Sequence, residues 1–327
     1  MKNKSKLFKI FVVIDILYLI FLFFTYGPIS YFRDTLVTTA KGTWHHQYLA
    51  YIFYTEDMVN DILGNNYIKN FDFNTDVSQI TIGKETTDYE SIYEEQILKK
   101  DEGNDLYKVI DIKGTNYVGR IIAIYDPTRI SFVQSKKINY GGQLLANLAK
   151  DYDAIVAINA SGFTVNDKVL TPNGAVIIDG KIVHQSDGGA IIGFNSDGVM
   201  MLTYDSASEA INKGMVYGME FGPFLIVNGK KADTSGSSVG GIAPRTAIAQ
   251  RKDGIVLFMT IDGRRANSLG ATFNDMIEVF QKYGAYNAAN LDGGGSSTMV
   301  VNGEMINTPG GYGYEGARYI PNAWIVK

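Results

Sequence analysis

A chain of 327 residues with 46% hydrophobic content and 35 glycines is long enough for one large α/β domain, or for one domain with a small appendage. Its formal net charge of -4 gives no general attraction for nucleic acid or anionic lipid, so any anion must be held by a local group of arginines. No cysteine is present, and the histidines are the adjacent His45 and His46 plus His184; thiol catalysis and cysteine zinc sites are excluded, leaving carboxylates, amides, arginine and backbone as the chemistry.

Lys2, Lys4, Lys6 and Lys9 precede an apolar stretch over residues 10–26. At about 1.5 Å per helical residue this stretch nearly spans a hydrocarbon core of about 30 Å. Gly27 and Pro28 end it, and the lysines predict an N-inside, C-outside, single-pass anchor with the rest of the chain extracytoplasmic. Asp15 is a costly carboxylate in mid-span, which fits a cleaved signal peptide better, but no small-x-small cleavage site follows, and the uncleaved anchor is favoured.

Residues 30–70 show helical spacing, with Thr55 as an N-cap, Met58, Val59, Ile62 and Leu63 on one face, and Gly64 as the stop. His45 and His46 read as polar residues at a helix start or surface. Residues 70–105 are acidic and poor in apolar side chains, which predicts a linker or solvated flap and a domain boundary near 105. The expected division is an anchor over 1–29, a helical stalk and acidic linker over 30–105, and a catalytic domain over 106–327.

Strands are expected over residues 117–125 and 129–134 around Asp126-Pro127, then a short helix over 143–152 and a strand over 154–159. Hairpin signals recur at Asp179-Gly180, Asp197-Gly198, Asn228-Gly229, Asp253-Gly254 and Asn302-Gly303. A helix over 272–283 places Phe273, Met276, Ile277, Phe280 and Tyr283 on one face, with Gly284 as its cap, and feeds a strand over 288–291. The predicted class is α+β: a mixed, largely antiparallel sheet with packed helices.

The densest chemistry lies in Asn290-Leu291-Asp292-Gly293-Gly294-Gly295-Ser296-Ser297-Thr298, directly after a strand. Three consecutive glycines are entropically costly and are expected where backbone needs positive φ or close approach to a ligand. Successive N–H groups there would form an anion nest, with Ser296 and Ser297 as hydroxyl donors and Asp292 at the lip as acid, base or nucleophile. The plain alternative is a glycine-rich hairpin in which Asp292 satisfies its own turn. No P-loop is present, since the lysine is missing.

In Ala243-Pro244-Arg245-Thr246-Ala247, the arginine opening a strand is a candidate phosphate clamp, because guanidinium binds phosphate bidentately. Asn159, in Asn159-Ala160-Ser161-Gly162-Phe163, offers an amide to a sugar hydroxyl; the glycosylation sequon here is discounted among so much apolar strand. Asp262, in Asp262-Gly263-Arg264-Arg265, is a further carboxylate, and Arg264 a further phosphate contact. Glu220 is a second-carboxylate candidate. Oxygen-rich turns are compatible with Ca²⁺ or Mg²⁺, although nothing in the sequence requires a cofactor. Gly311-Tyr312-Gly313-Tyr314-Glu315-Gly316 matches a dinucleotide pattern literally but follows no clear strand and opens no helix, so it reads as a mobile loop or lid.

Taken in order, the segments at Asn159, Pro244-Arg245, Asp262-Gly263-Arg264, Gly270-Ala271-Thr272 and Asn290 to Thr298 resemble the phosphodiester glycosidase family over residues 110–327. The family more often shows Asn-Gly-Gly followed by aromatics where this chain has Asn159-Ala160-Ser161-Gly162-Phe163, a departure in the substrate-pocket wall. The resemblance implies hydrolysis of the bond between a sugar's anomeric carbon and a phosphodiester in a cell-surface or extracellular glycan, exopolysaccharide among them. A phosphate leaving group is already a weak base, so charge uptake by arginine and amides would replace much of the usual general acid. The rival expectations are a non-catalytic phosphoglycan-binding or wall-assembly module, and a transferase passing the sugar to another hydroxyl.

Overall fold

The computed structural model describes residues 2–43, 45–83, 89–311 and 316–327. Tight turns organise its C-terminal part. Asp179-Gly180, Asn228-Gly229 and Asn302-Gly303 hold both central residues at positive φ, the conformation whose twist matches that of flanking strands. They join Val176–Ile178 to Lys181–His184, Phe224–Val227 to Lys230–Lys231, and Met299–Val301 to Glu304–Met305. Asp197-Gly198 and Asp253-Gly254 likewise join Ile191–Asn195 to Met200–Thr203 and Arg245–Arg251 to Val256–Ile261.

The central seven-stranded sheet runs Tyr107–Lys113, Val118–Ile124, Val256–Ile261, Arg245–Arg251, Ala285–Leu291, Phe224–Val227 and Lys230–Lys231 in spatial order. Two five-stranded sheets and the hairpin of Phe163–Asn166 with Val169–Pro172 complete the β-structure, and every ladder among the described residues is antiparallel. The α+β, largely antiparallel class expected from the sequence is the one observed. Val118–Ile124 and Ile130–Gln134 do not pair with each other, however. Asp126 caps a 3-10 turn over Pro127–Arg129, which sends the second strand into another sheet, beside Asn322–Val326.

Alternation along the central strands separates two cores. Ile248, Phe258, Ala289 and Leu291 face Trp324, Phe132 and Phe194, whose rings meet edge to face, while Ala247, Ala249, Leu257 and Ala288 face the helix Phe273–Lys282. Small alanines let that helix come close, and it buries Met276, Ile277, Val279 and Phe280, each contributing about 1.5–3 kcal/mol. Thr272 and Asp275 close its N-terminus as a reciprocal capping box.

The chain divides into two compact units: Met1–Tyr67 with Thr234–Ile242, and Ile68–Asp233 with Ala243–Lys327. The segment expected to be a linker ending near 105 therefore belongs to the larger unit from Ile68 onward. Its partners lie far along the chain, which is why composition hid them: Thr75 is hydrogen-bonded to Leu202, Ile97 is fully buried, and Glu94 faces Arg251 at 3.6 Å. The smaller unit holds the helices Lys2–Tyr26, Ser30–Lys41, Ala50–Phe53 and Glu56–Asn65, around Val37, Ala40, Ala50, Tyr54, Val59 and Ile62. Thr55 caps the last of these as expected, but Gly64 lies inside that helix instead of ending it. Lys6–Tyr26 is long and apolar enough to cross a membrane. Thr234–Ile242, nine residues far along the sequence, folds into this unit: Ser235 exchanges both backbone hydrogen bonds with Tyr67, Ser238 Oγ donates to Asn66 Oδ1 at 2.9 Å, and Ile242 N donates to Thr39 Oγ1 at 3.0 Å.

Candidate active site

Arg245–Arg251 lies between Val256–Ile261 and Ala285–Leu291 in the central sheet. Thr246 pairs with Leu291, so one step further Arg245 enters its strand beside the point where Asp292 leaves the neighbouring one. Pro244 and the glycine run then lock together. Gly294 N donates to Pro244 O at 2.8 Å, and a Cβ on Gly293 would stand 2.8 Å from the same oxygen. Segments nearly fifty positions apart in sequence thus meet at one end of the sheet.

Each glycine is needed for a different reason. Gly293 passes too close to Pro244 for a side chain, Gly294 adopts φ +63 beneath the Arg264 guanidinium, and Gly295 lies against Gly311 and the stem of Arg318. The open amide nest expected from the run is not what forms. Residues Gly294–Ser296 close a 3-10 turn in which Ser296 N and Ser297 N donate to the carbonyls of Gly293 and Gly294, so these N–H groups are spent internally. Ser296 Oγ, Ser297 Oγ and Asn290 Oδ1 are buried with no internal hydrogen-bond partner, an arrangement uncommon enough to mark the site.

Burial pushes the Asp292 carboxyl up to about 6, against opposing effects from Ser296, the Arg318 charge and the Gly293 N–H. The Ser296 hydroxyl acts from nearby, outside the geometry of a formed hydrogen bond. Asp292 is placed by its backbone: its N–H donates to Ala160 O at 2.9 Å, and its carbonyl accepts from Asn159 Nδ2 at 2.7 Å. A carboxylate fastened through its main chain keeps its side chain available.

Three guanidinium groups surround this bend. Arg245 is only 8% exposed; its Nε donates to Ala271 O at 2.9 Å and its guanidinium lies 4.4 Å from the centre of the Phe273 ring. Burial lowers its pKa to about 10, so it remains cationic at neutral pH, with Asp275 supporting the charge. Arg264 holds φ +59, a strained conformation for a non-glycine residue, and its Nη1 donates to Gly310 O at 3.3 Å. Arg318 was not anticipated from the sequence. It follows Gly316-Ala317 without a recognisable motif, and its one signal is a cation just ahead of the last apolar strand. Its guanidinium lies 4.5 Å from the centre of the Phe163 ring.

Other candidates are consumed by structure. Asn159 was read as a ligand for a sugar hydroxyl, but its Oδ1 accepts from Thr246 Oγ1 and Thr298 N while its Nδ2 serves Asp292, which makes it a buried clip between strands. Asp262 Oδ1 accepts from Thr308 N at 3.0 Å and Asn307 Nδ2 at 3.3 Å, and its carbonyl accepts from Ser268 Oγ at 2.6 Å. Glu220 Oε2 accepts from Ala175 N and from Ser186 Oγ, and the glycines at 174 and 189 make room for its side chain. Among the described residues no group of three or more His, Asp or Glu side chains is arranged to hold a metal. Most of the segment from Gly311 to Gly316, read as a mobile loop or lid, lies outside the described residues.

The family model described as phosphodiester glycosidase matches residues 152–327. An uncharacterized SPbeta prophage-derived protein of Bacillus subtilis, YomE, is 34% identical over 193 residues, covering 56% of this chain and 29% of its own. The Homo sapiens N-acetylglucosamine-1-phosphodiester alpha-N-acetylglucosaminidase is 28% identical over 180 residues, covering 49% of this chain and 34% of its own. The chain thus spans about a third of the length of these curated relatives. The auto-inhibited catalytic domain of the zebrafish enzyme of the same name superposes with a TM-score of 0.57 at 20% identity, over 76% of this chain and 97% of that one, a likeness of fold.

Proposed function

The chain belongs to the phosphodiester glycosidase family, and from that premise we propose that it hydrolyses the bond between the anomeric carbon of a sugar and a phosphodiester oxygen. The observation that carries this reading is the convergence at one sheet end of an available carboxylate, Asp292, with the cations Arg245, Arg264 and Arg318. Cleavage transfers the electron pair of the C1–O bond to a phosphate oxygen, and the oxygen of water ends on C1. Asp292 acts ionised, either taking the water proton as base or attacking C1 as nucleophile. Positive charge standing ready beside the departing phosphate stabilises the negative charge that grows there, with no reorganisation at the moment of reaction. Arg245 does this at range from its buried seat against Phe273, and Arg264 from above Gly294.

The name of the human relative, an N-acetylglucosamine-1-phosphodiester alpha-N-acetylglucosaminidase, supports the substrate class. The apolar helix Lys6–Tyr26, with lysines before it, supports a signal anchor that leaves the catalytic domain extracytoplasmic and its substrate an external phosphorylated glycan. The test is to incubate the full chain in detergent with α- and β-linked sugar-1-phosphodiesters and measure released sugar, with Asp292→Asn as control. Release dependent on Asp292 is the expected result. Binding of the phosphodiester without release would replace hydrolysis with a phosphoglycan-binding role, and transfer to an added acceptor alcohol would make the protein a transferase.

A further inference from the structure

The anion expected at this site needs a direct partner, and several candidates are engaged, while the Ser296 and Ser297 hydroxyls, though unpartnered, are buried and carry no charge. The amides of Gly294, Ser296 and Ser297 serve carbonyls of the bend and of Pro244. Arg245 is buried with its Nε on Ala271, so it exerts charge without presenting an open edge. Arg264 turns Nη1 toward Gly310.

Arg318 is differently placed. It is exposed, and it forms no ion pair among the described residues although the Asp292 carboxylate feels its charge. Two features hold it ready. Its Cγ and Cδ pass within 3.4 and 3.1 Å of where a Cβ on Gly295 would stand, so a side chain at this position would press on the stem. Its guanidinium also lies on the Phe163 ring, a contact that orients the plane. A flexible cation is thereby oriented before any ligand arrives, and little entropy remains to be lost on binding.

We propose that Arg318, held against Phe163 and seated over Gly295, grips the phosphodiester anion directly and selects phosphodiester-linked sugars over neutral glycosides. Arg245 is then the remote charge and Arg318 the contact. The proposal rests on the hydrolase reading for its substrate, but binding and cleavage are separable in the test.

The full chain in detergent is titrated with a C-glycosyl phosphonate monoester, in which a methylene replaces the anomeric oxygen so that nothing can be cleaved. Hydrolysis of the matching phosphodiester is followed in parallel. Arg318→Ala raises both the Kd for the phosphonate and the KM by about 10- to 100-fold, the loss expected for one charge-assisted contact, and lowers kcat less. Arg318→Lys recovers part of the binding, since it keeps the charge without the fork or the flat stack. Phe163→Leu weakens binding less than Arg318→Ala. With the positive charge gone, the acid limb of the pH–rate profile moves to higher pH, which a purely structural role would not produce.

Unchanged phosphonate affinity in Arg318→Ala overturns the proposal, as does failure of the wild-type chain to bind the phosphonate. So does an equal loss in Arg318→Ala and Arg318→Lys accompanied by a lowered Tm, the mark of a packing role. Arg318-dependent binding with no cleavage of any sugar-1-phosphodiester leaves the proposal standing and removes the hydrolase reading. Cleavage with an unaltered KM in Arg318→Ala does the reverse.

Discussion

Two strands of the central sheet, Val256–Ile261 and Ala285–Leu291, flank Arg245–Arg251 and lead into the same dipeptide, Asp262-Gly263 and Asp292-Gly293, and the two carboxylates have opposite fates. Asp262 is buried and its Oδ1 is taken by Thr308 N and Asn307 Nδ2, so it fastens the chain that follows Met299–Val301. Asp292 is held through its main-chain N–H and C=O, and its side chain stands among orphaned hydroxyls and cations with its pKa raised to about 6. The difference teaches that residue type and strand-end position do not make a catalytic group; what matters is whether folding has already used the oxygen atoms. A hydrogen-bonded carboxylate is spent, whereas a desolvated one is poised to react.

The sharpest way to break this comparison is to neutralise each acid in turn. Asp292→Asn lowers turnover by roughly two to four orders of magnitude with the fold intact, measured as sugar release and as circular dichroism. An equal kinetic loss in well-folded Asp262→Asn would erase the distinction.

Next in size is the effect of pH. Activity that needs ionised Asp292 falls about tenfold per unit below about pH 6, read from the acid limb of the rate profile. The sign for stability is opposite to that of an ion-paired aspartate. Because the folded pKa is about 6 against an ordinary 3.8, the folded state holds the proton more tightly, and stability is lost as pH rises through that window. Asp292→Asn escapes this loss, so its Tm exceeds that of the wild type above pH 6, the stability–activity trade expected of a functional residue.

Smaller again is Asp262→Ala, which leaves Thr308 N without its acceptor and costs about 1–3 kcal/mol in denaturant unfolding, while turnover below the transition falls far less than in Asp292→Asn. At the bottom is Ser297→Ala. Its hydroxyl is buried without a partner, so removal changes stability by less than about 0.5 kcal/mol, and a larger loss would reveal a bond the hydroxyl makes.

Local chemistry made much of this legible from sequence alone. The Asx-Gly hairpins and the capped helix after Thr272 follow from turn preferences and periodicity acting over a few residues. What stayed hidden depends on partners far away in the chain. Asn159 looks like a ligand until Thr246, Asp292 and Thr298 are seen to occupy it, and nothing near Glu220 announces Ser186. The open nest was misread because φ preferences reveal that a glycine run bends, not which carbonyls its amides will meet. Arg318 was invisible since a single arginine among glycines carries no period, and its meaning comes from Phe163, more than 150 positions earlier.

The nine residues Thr234–Ile242 bear on how the protein can be taken apart. They are sewn to Thr39, Asn66 and Tyr67, yet the chain returns to the larger unit one residue before Pro244. Trimming the gene at position 67 would orphan the donors and acceptors of this stretch. A truncated chain would therefore need that stretch replaced by a short polar bridge, or the helices kept and only the greasy first helix removed.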